Sequence, residues 1–171
     1  VSDYDAVTEI NLNSKSLTTD FTNVLSKFNN LSNLYLRDNA IPFLEIPSVN
    51  KSKIIELEID RNNLSNLDAS NCINLTRLLC YTNNLTGLNL TNCNSLEHLA
   101  FYSNAINSID VVGFVDLNFI NGNFNNLTFV DLSGLVNLTS ISFLYNSLTS
   151  ILINDCVNAT LINLSYNNLT S

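Results

Sequence analysis

Four cysteines, one histidine and one tight run of carboxylates are the residues whose types and spacing admit chemistry in this chain. The cysteines stand at 72, 80, 93 and 156, with no C-x-x-C pair to open a zinc site or a redox couple. His98 has neither a nucleophile nor an orienting acid in a recognisable frame, and reads as a solvated surface residue. There is no G-x-S-x-G elbow, P-loop, G-x-G-x-x-G or H-E-x-x-H. Glu56, Glu58 and Asp60 alternate along one segment beside Arg61. Glycosidase chemistry needs two carboxyls flanking a cleft, one with a raised pKa, whereas three acids on an open strand face form a wet charged surface. Glu45, Asp68, Asn89, Asp110 and Asp131 recur every 21 to 23 residues and could gather Ca²⁺, which takes six to eight oxygens. Asn89 interrupts that row and Leu152 ends it, so solvated acids are the better reading. The chain is read as non-enzymatic, with no metal and no cofactor.

What positions these residues is a repeat. From Ile54 onward the pattern L-x-x-L-x-L-x-x-N-x-L-x-x-L-x-L-x-x-C returns every 21 residues, as in Leu75, Leu78, Cys80, Asn83, Leu85, Leu88, Leu90 and Cys93. Asn62, Asn83, Asn104, Asn125, Asn146 and Asn167 keep the phase, with Asn39 in a looser copy before them and Lys15 where an earlier Asn would fall. The L-x-L triplets have period two, so flanking apolar residues point inward and middle residues outward. One coil cannot bury its inner face, but stacked coils form a continuous core with parallel strands about 4.8 Å apart.

On these motifs the chain resembles the leucine-rich-repeat family, in a short 21-residue form like that of bacterial surface proteins. The resemblance implies a solenoid, a right-handed superhelix or horseshoe, with a parallel β-sheet on one face and second strands or extended turns on the other. The coils are 7–30, 31–53, 54–74, 75–95, 96–116, 117–137, 138–158 and an incomplete 159–171. They form one domain, read as a fragment of a longer chain. Helix is expected only near residues 20–28, where Phe21, Val24, Leu25 and Phe28 have helical spacing and Thr19 or Asp20 would cap.

The Asn residues 39, 62, 83, 104, 125, 146 and 167 are assigned to a structural ladder, each amide satisfying backbone groups at a turn. Their tolerance of left-handed turns would explain how a turn-rich chain manages with four Gly. Cys72, Cys93 and Cys156 share a slot that Phe114 and Leu135 fill elsewhere, so they read as core packing. A Cys72–Cys93 disulfide is the sharper alternative, since adjacent coils bring their Cα atoms within range. Gly122 occupies a core position, and Phe119 or Phe124 is expected to turn in to fill the gap.

Function falls to the outward positions of the first strand. The residues read as partner-binding are Tyr35, Arg77, Leu79, Tyr81, His98, Tyr102, Phe119, Phe124, Tyr145 and Tyr166. Aromatic residues one coil apart can stack, and exposed aromatic patches are enriched at binding sites. Of 171 residues 46% are hydrophobic and only 13% charged, and the net charge of −8 excludes a nucleic-acid backbone as partner. No run of 18 apolar residues is long enough to span a bilayer as a helix. All seven Lys and Arg lie between Lys15 and Arg77, and residues 1–77 as a whole hold ten Asp and Glu for a balance of −3; residues 78–171 hold five acids and no Lys or Arg. These features point to an extracellular or cell-surface adhesion module that binds a protein or glycan. The alternative is a self-associating segment of a surface fibre or layer.

Overall fold

The computed structural model describes residues 4–19 and 21–170. Each first triplet is a three-residue strand. Strands β1 (Glu9–Asn11), β2 (Asn33–Tyr35), β3 (Glu56–Glu58), β5 (Arg77–Leu79), β7 (His98–Ala100), β8 (Phe119–Asn121), β10 (Ser140–Ser142) and β12 (Leu161–Asn163) form one parallel sheet in that order. The register is one coil throughout, for example Leu78 beside Leu99 and Leu99 beside Ile120. Backbone bonding continues past each strand, as in Cys80 N–H to the Ala100 carbonyl at 2.9 Å. The chain is thus a parallel β-solenoid with little helix, and its core is the inward stack of Leu, Ile and Val closed between the coils.

At the end of each first strand from β2 onward the Asn amide joins two coils. The Asn83 carbonyl oxygen accepts from Leu64 N–H at 3.0 Å, and its NH₂ donates to the carbonyls of Ile59 at 3.0 Å and Cys80 at 3.1 Å. Asn104, Asn125, Asn146 and Asn167 repeat this pattern one coil at a time. The left-handed turn is made differently from the sequence expectation. The residue before the ladder Asn adopts it: Asp38, Arg61, Thr82, Ser103, Phe124, Tyr145 and Tyr166 all have φ between 52° and 56°. Asn keeps an ordinary φ there because its amide, not its backbone, serves the turn. In the second turn, residues that tolerate positive φ do occupy the slot: Asn71, Asn92, Gly113, Gly134 and Asp155.

The other side of the solenoid is less regular. Strands β4 (Asn66–Asp68) and β6 (Gly87–Asn89) pair, as do β9 (Phe129–Asp131) and β11 (Ser150–Leu152), while residues 108–110 join neither pair. Near this interruption a side-chain link also fails. Asn74, Ser95, Asn137 and Asn158 each donate to a carbonyl of the preceding coil, but their counterpart Asp116 is a carboxylate and has no proton to give when ionised. The recurring acids have a structural use: Asp68, Asp110 and Asp131 accept the N–H two residues on, at 3.0, 3.1 and 2.8 Å, as Asn89 does at 3.1 Å.

The helix expected near residues 20–28 is present, and three local expectations are corrected: its capping, the extended chain after Pro47 and the filling of the space at Gly122. The helix at 20–28 is a single turn, α1 (Thr22–Leu25), with Phe21 at the N-cap and no side-chain cap; Thr19 does not cap it, and Asp20 lies outside the described residues. A second turn, α2 (Ser48–Lys51), follows Pro47 where only extended chain was expected. Both helices fall in the two longest coils, whose extra residues need to be wound up. Gly122 is covered from the core side, by Phe101 and Phe143 of the neighbouring coils; a Cβ there would lie 2.5 Å from the Phe101 ring. Phe119 and Phe124 stay on the outside. All four cysteines are free thiols, and Cys93 Sγ donates to the Ala69 carbonyl at 3.0 Å.

Candidate binding face

The outer side of the eight-stranded sheet divides into a charged end, an aromatic centre and an uncharged end. At the charged end the carboxylates are engaged rather than standing in open water. The Tyr35 hydroxyl donates to Glu56 at 2.8 Å, Arg77 Nε to Glu58 at 3.3 Å, and Arg61 Nη1 to Asp38 at 3.3 Å. Burial, reinforced by Glu56, pushes the Tyr35 phenol up to about 12. Asp60 departs furthest from expectation: it is fully buried. Arg37 approaches it from one coil and Tyr81 from the other. Arg37 Nε lies 3.4 Å from Asp60 Oδ2, and Arg37 Nη2 donates to the Tyr81 hydroxyl at 3.1 Å. Arg37, Asp60 and Tyr81 occupy equivalent positions in three successive coils, so the column order is the sequence signal that marks this group.

The centre is aromatic and apolar. Tyr81 and Tyr102 stack with ring centroids 4.3 Å apart and planes 8° from parallel; His98 and Phe119 stack at 4.1 Å and 2°. Leu79, Tyr81 and Ala100 form a small cluster of their own on the outer surface, against which Tyr102 and Phe119 pack. Leu79 and Tyr81, read from the sequence as free contact residues, are 7% and 8% exposed. The physical reason is that large outward side chains at one-coil spacing cover one another. His98 is likewise half-buried rather than solvated. Burial, with Arg77 nearby, holds its imidazole below the ordinary value. Burial and Asp60 push the Tyr81 phenol up to about 12.

Phe124, Tyr145 and Tyr166 are brought together along the rim of the sheet. Their rings stack at 4.9 and 4.1 Å, and they are 48%, 44% and 66% exposed. All three sit in the left-handed region, which costs a bulky L residue about 1 kcal/mol each. Between this ladder and the aromatic centre, Asn121, Asn123, Ser140, Ser142, Asn163 and Ser165 offer amides and hydroxyls without any charge. Tyr35 stands apart from both aromatic groups, bonded to Glu56.

A parallel β-solenoid of 21-residue coils, apolar inside and ridged by an Asn ladder, has the fold of a leucine-rich-repeat domain. At the level of sequence, neither a protein-family model nor a curated protein matches the chain. Solved structures do. The leucine-rich repeat domain of APL1B superimposes with a TM-score of 0.81 at 25% identity, over 96% of this chain and 50% of that one. The functional domain of InlJ from Listeria monocytogenes, described as including a cysteine ladder, gives 0.70 at 23% identity over 96% of this chain and 43% of that one. A leucine-rich-repeat protein of Leptospira interrogans gives 0.66 at 23% identity, covering 95% of this chain and 50% of that one. The chain therefore spans about half the length of the structures it matches.

Proposed function

We propose that this domain is a non-enzymatic, extracellular protein-binding or adhesion module of a bacterial cell surface, working through the outer face of its eight-stranded sheet. The observation that carries the reading is the cluster of Tyr81, Tyr102, His98 and Phe119. It is a rigid aromatic centre, flanked by ion-paired residues on one side and uncharged polar residues on the other. Binding energy at protein interfaces concentrates in such buried aromatic centres inside polar rims. The likeness to leucine-rich-repeat structures of bacterial origin supports the setting. The test is binding of fluorescently labelled domain to intact eukaryotic cells, with and without prior protease treatment. Wild type is expected to bind in a protease-sensitive way, and Tyr81→Ser with Tyr102→Ser to lose binding while circular dichroism is unchanged. Full binding by that double variant moves the site elsewhere. Loss after glycosidase treatment alone makes the ligand a glycan.

A second reading is self-association, and one observation favours it. Val115, Val136 and Val157 form an exposed ridge at one-coil spacing, 51%, 42% and 77% accessible, in the half of the chain that has no Lys or Arg. Light scattering over a hundredfold concentration range, with Val136→Lys beside wild type, tests it. Ordered assemblies that Val136→Lys abolishes would make association the function.

A further inference from the structure

Asp60 is a buried carboxylate at the edge of the aromatic centre; the Tyr81 hydroxyl and Arg37 face it, yet neither of its oxygens has a donor in full hydrogen-bond geometry. The nearest cation, Arg37, presents only its Nε side, at 3.4 Å, and spends Nη2 on the Tyr81 hydroxyl. A buried carboxylate without well-aligned donors is costly unless a planar pair of donors meets it. Arg37 has a second acceptor within reach: Asp38 Oδ2, more exposed and on a carboxylate that also pairs with Arg61, lies 3.7 Å from the same Nε. Around this point Asp38, Glu56, Glu58 and Asp60 meet Arg37, Arg61 and Arg77, so one incoming positive charge would balance the face. Tyr102, stacked on Tyr81 and only partly buried, supplies ring surface on which a guanidinium can lie, as Arg61 does 6.0 Å over the Tyr81 ring.

Resting on the reading of this face as protein-binding, we infer that Asp60 is the socket for an arginine side chain of the partner. The incoming guanidinium displaces Arg37 towards Asp38 and spans both Asp60 oxygens beside the tyrosine stack. The exchange swaps one cation for another, so no carboxylate is left buried alone. Guanidinium is favoured over ammonium because the two oxygens of one carboxylate match its fork and not a point charge.

The probe is agmatine, which carries the head and stem of an arginine side chain, titrated into the whole domain and followed through the ring resonances of Tyr81 and Tyr102. Butylamine and butylurea serve as the ammonium and neutral controls. Agmatine is expected to shift both rings saturably, butylamine at least threefold more weakly, and butylurea not at all. Asp60→Asn should weaken agmatine at least tenfold. Arg37→Gln, which removes the internal competitor, should tighten it at least threefold, a gain that a purely structural role for Asp60 would not produce. Equal shifts with butylurea, unchanged affinity in Asp60→Asn, or weaker binding in Arg37→Gln overturns the proposal. Should Asp60→Asn not fold, Arg37→Gln decides alone. If Tyr102→Ser abolishes cell binding while Asp60→Asn leaves it whole, the socket falls and the face stands; if neither substitution matters, the face falls as well.

Discussion

Gly122 and Phe101 are locked together: a Cβ on the glycine would come 2.5 Å from Phe101 Cζ and 2.8 Å from Phe143 Cε1. The two phenyl rings, 6.4 Å apart and tilted by 60°, fill the space that a side chain at this coil position would take. Both are fully buried, so neither can swing into solvent. Gly122→Ala is therefore expected to destabilise the domain by about 2–3 kcal/mol through overpacking. Gly134→Ala, with no neighbour within 4 Å but a φ of +78°, should cost about 1 kcal/mol from backbone strain alone. Urea denaturation of the two variants checks the order.

The Asn ladder makes a second expectation. Asn83→Ala strips Leu64 N–H of its acceptor and the carbonyls of Ile59 and Cys80 of a donor. At about 1 kcal/mol per lost bond, with more for groups left dry, the loss should be about 3 kcal/mol. Asn83→Asp should cost a similar amount, because an ionised carboxylate keeps the acceptor and has no proton for the carbonyls. Thermal melts of the three proteins test this, and a melting temperature for Asn83→Asp equal to wild type contradicts it.

Tyr35 and Tyr81 set an alkaline limit. Their phenols are held up to about 12, by burial first and then by Glu56 and Asp60 respectively. In the unfolded chain they ionise near pH 10. The fold keeps the neutral form, so the stability they contribute is complete below about pH 10 and is lost as pH rises towards about 12. A pH series of denaturation midpoints should fall over that window and fall less in Tyr35→Phe and Tyr81→Phe. Absorbance at the phenolate band should show both groups ionising late.

The thiols should react in two classes. Burial pushes Cys72 up to about 12 and Cys93 to about 11, raises Cys80 further, and Cys80 is wholly enclosed. Cys156 is raised too, by burial and then Asp155, but it remains partly exposed. A thiol reagent at neutral pH is expected to modify Cys156 first and the other three only on unfolding. Rapid native labelling of Cys72 or Cys93 contradicts the packing.

The 21-residue period, the inward triplets and the Asn phase belong to the sequence because they are one-dimensional. A coil that repeats its apolar pattern can bury it only by stacking on its neighbours, so the solenoid and its parallel sheet were legible residue by residue. The outer face was legible as columns: Tyr81 above Tyr102, and Phe124, Tyr145 and Tyr166 in line, are spacings before they are contacts. Tertiary structure decided how much of each column faces water. Outward side chains a few ångströms apart shade one another, which turned Leu79 and Tyr81 from free contact residues into a covered centre and His98 into half of a stack. It also buried Asp60, which an alternating strand pattern marks as exposed, because Arg37 and Tyr81 close over it from the coils on either side. And it placed the left-handed turn one residue before each Asn, a choice between neighbours in the chain that only the closed backbone makes.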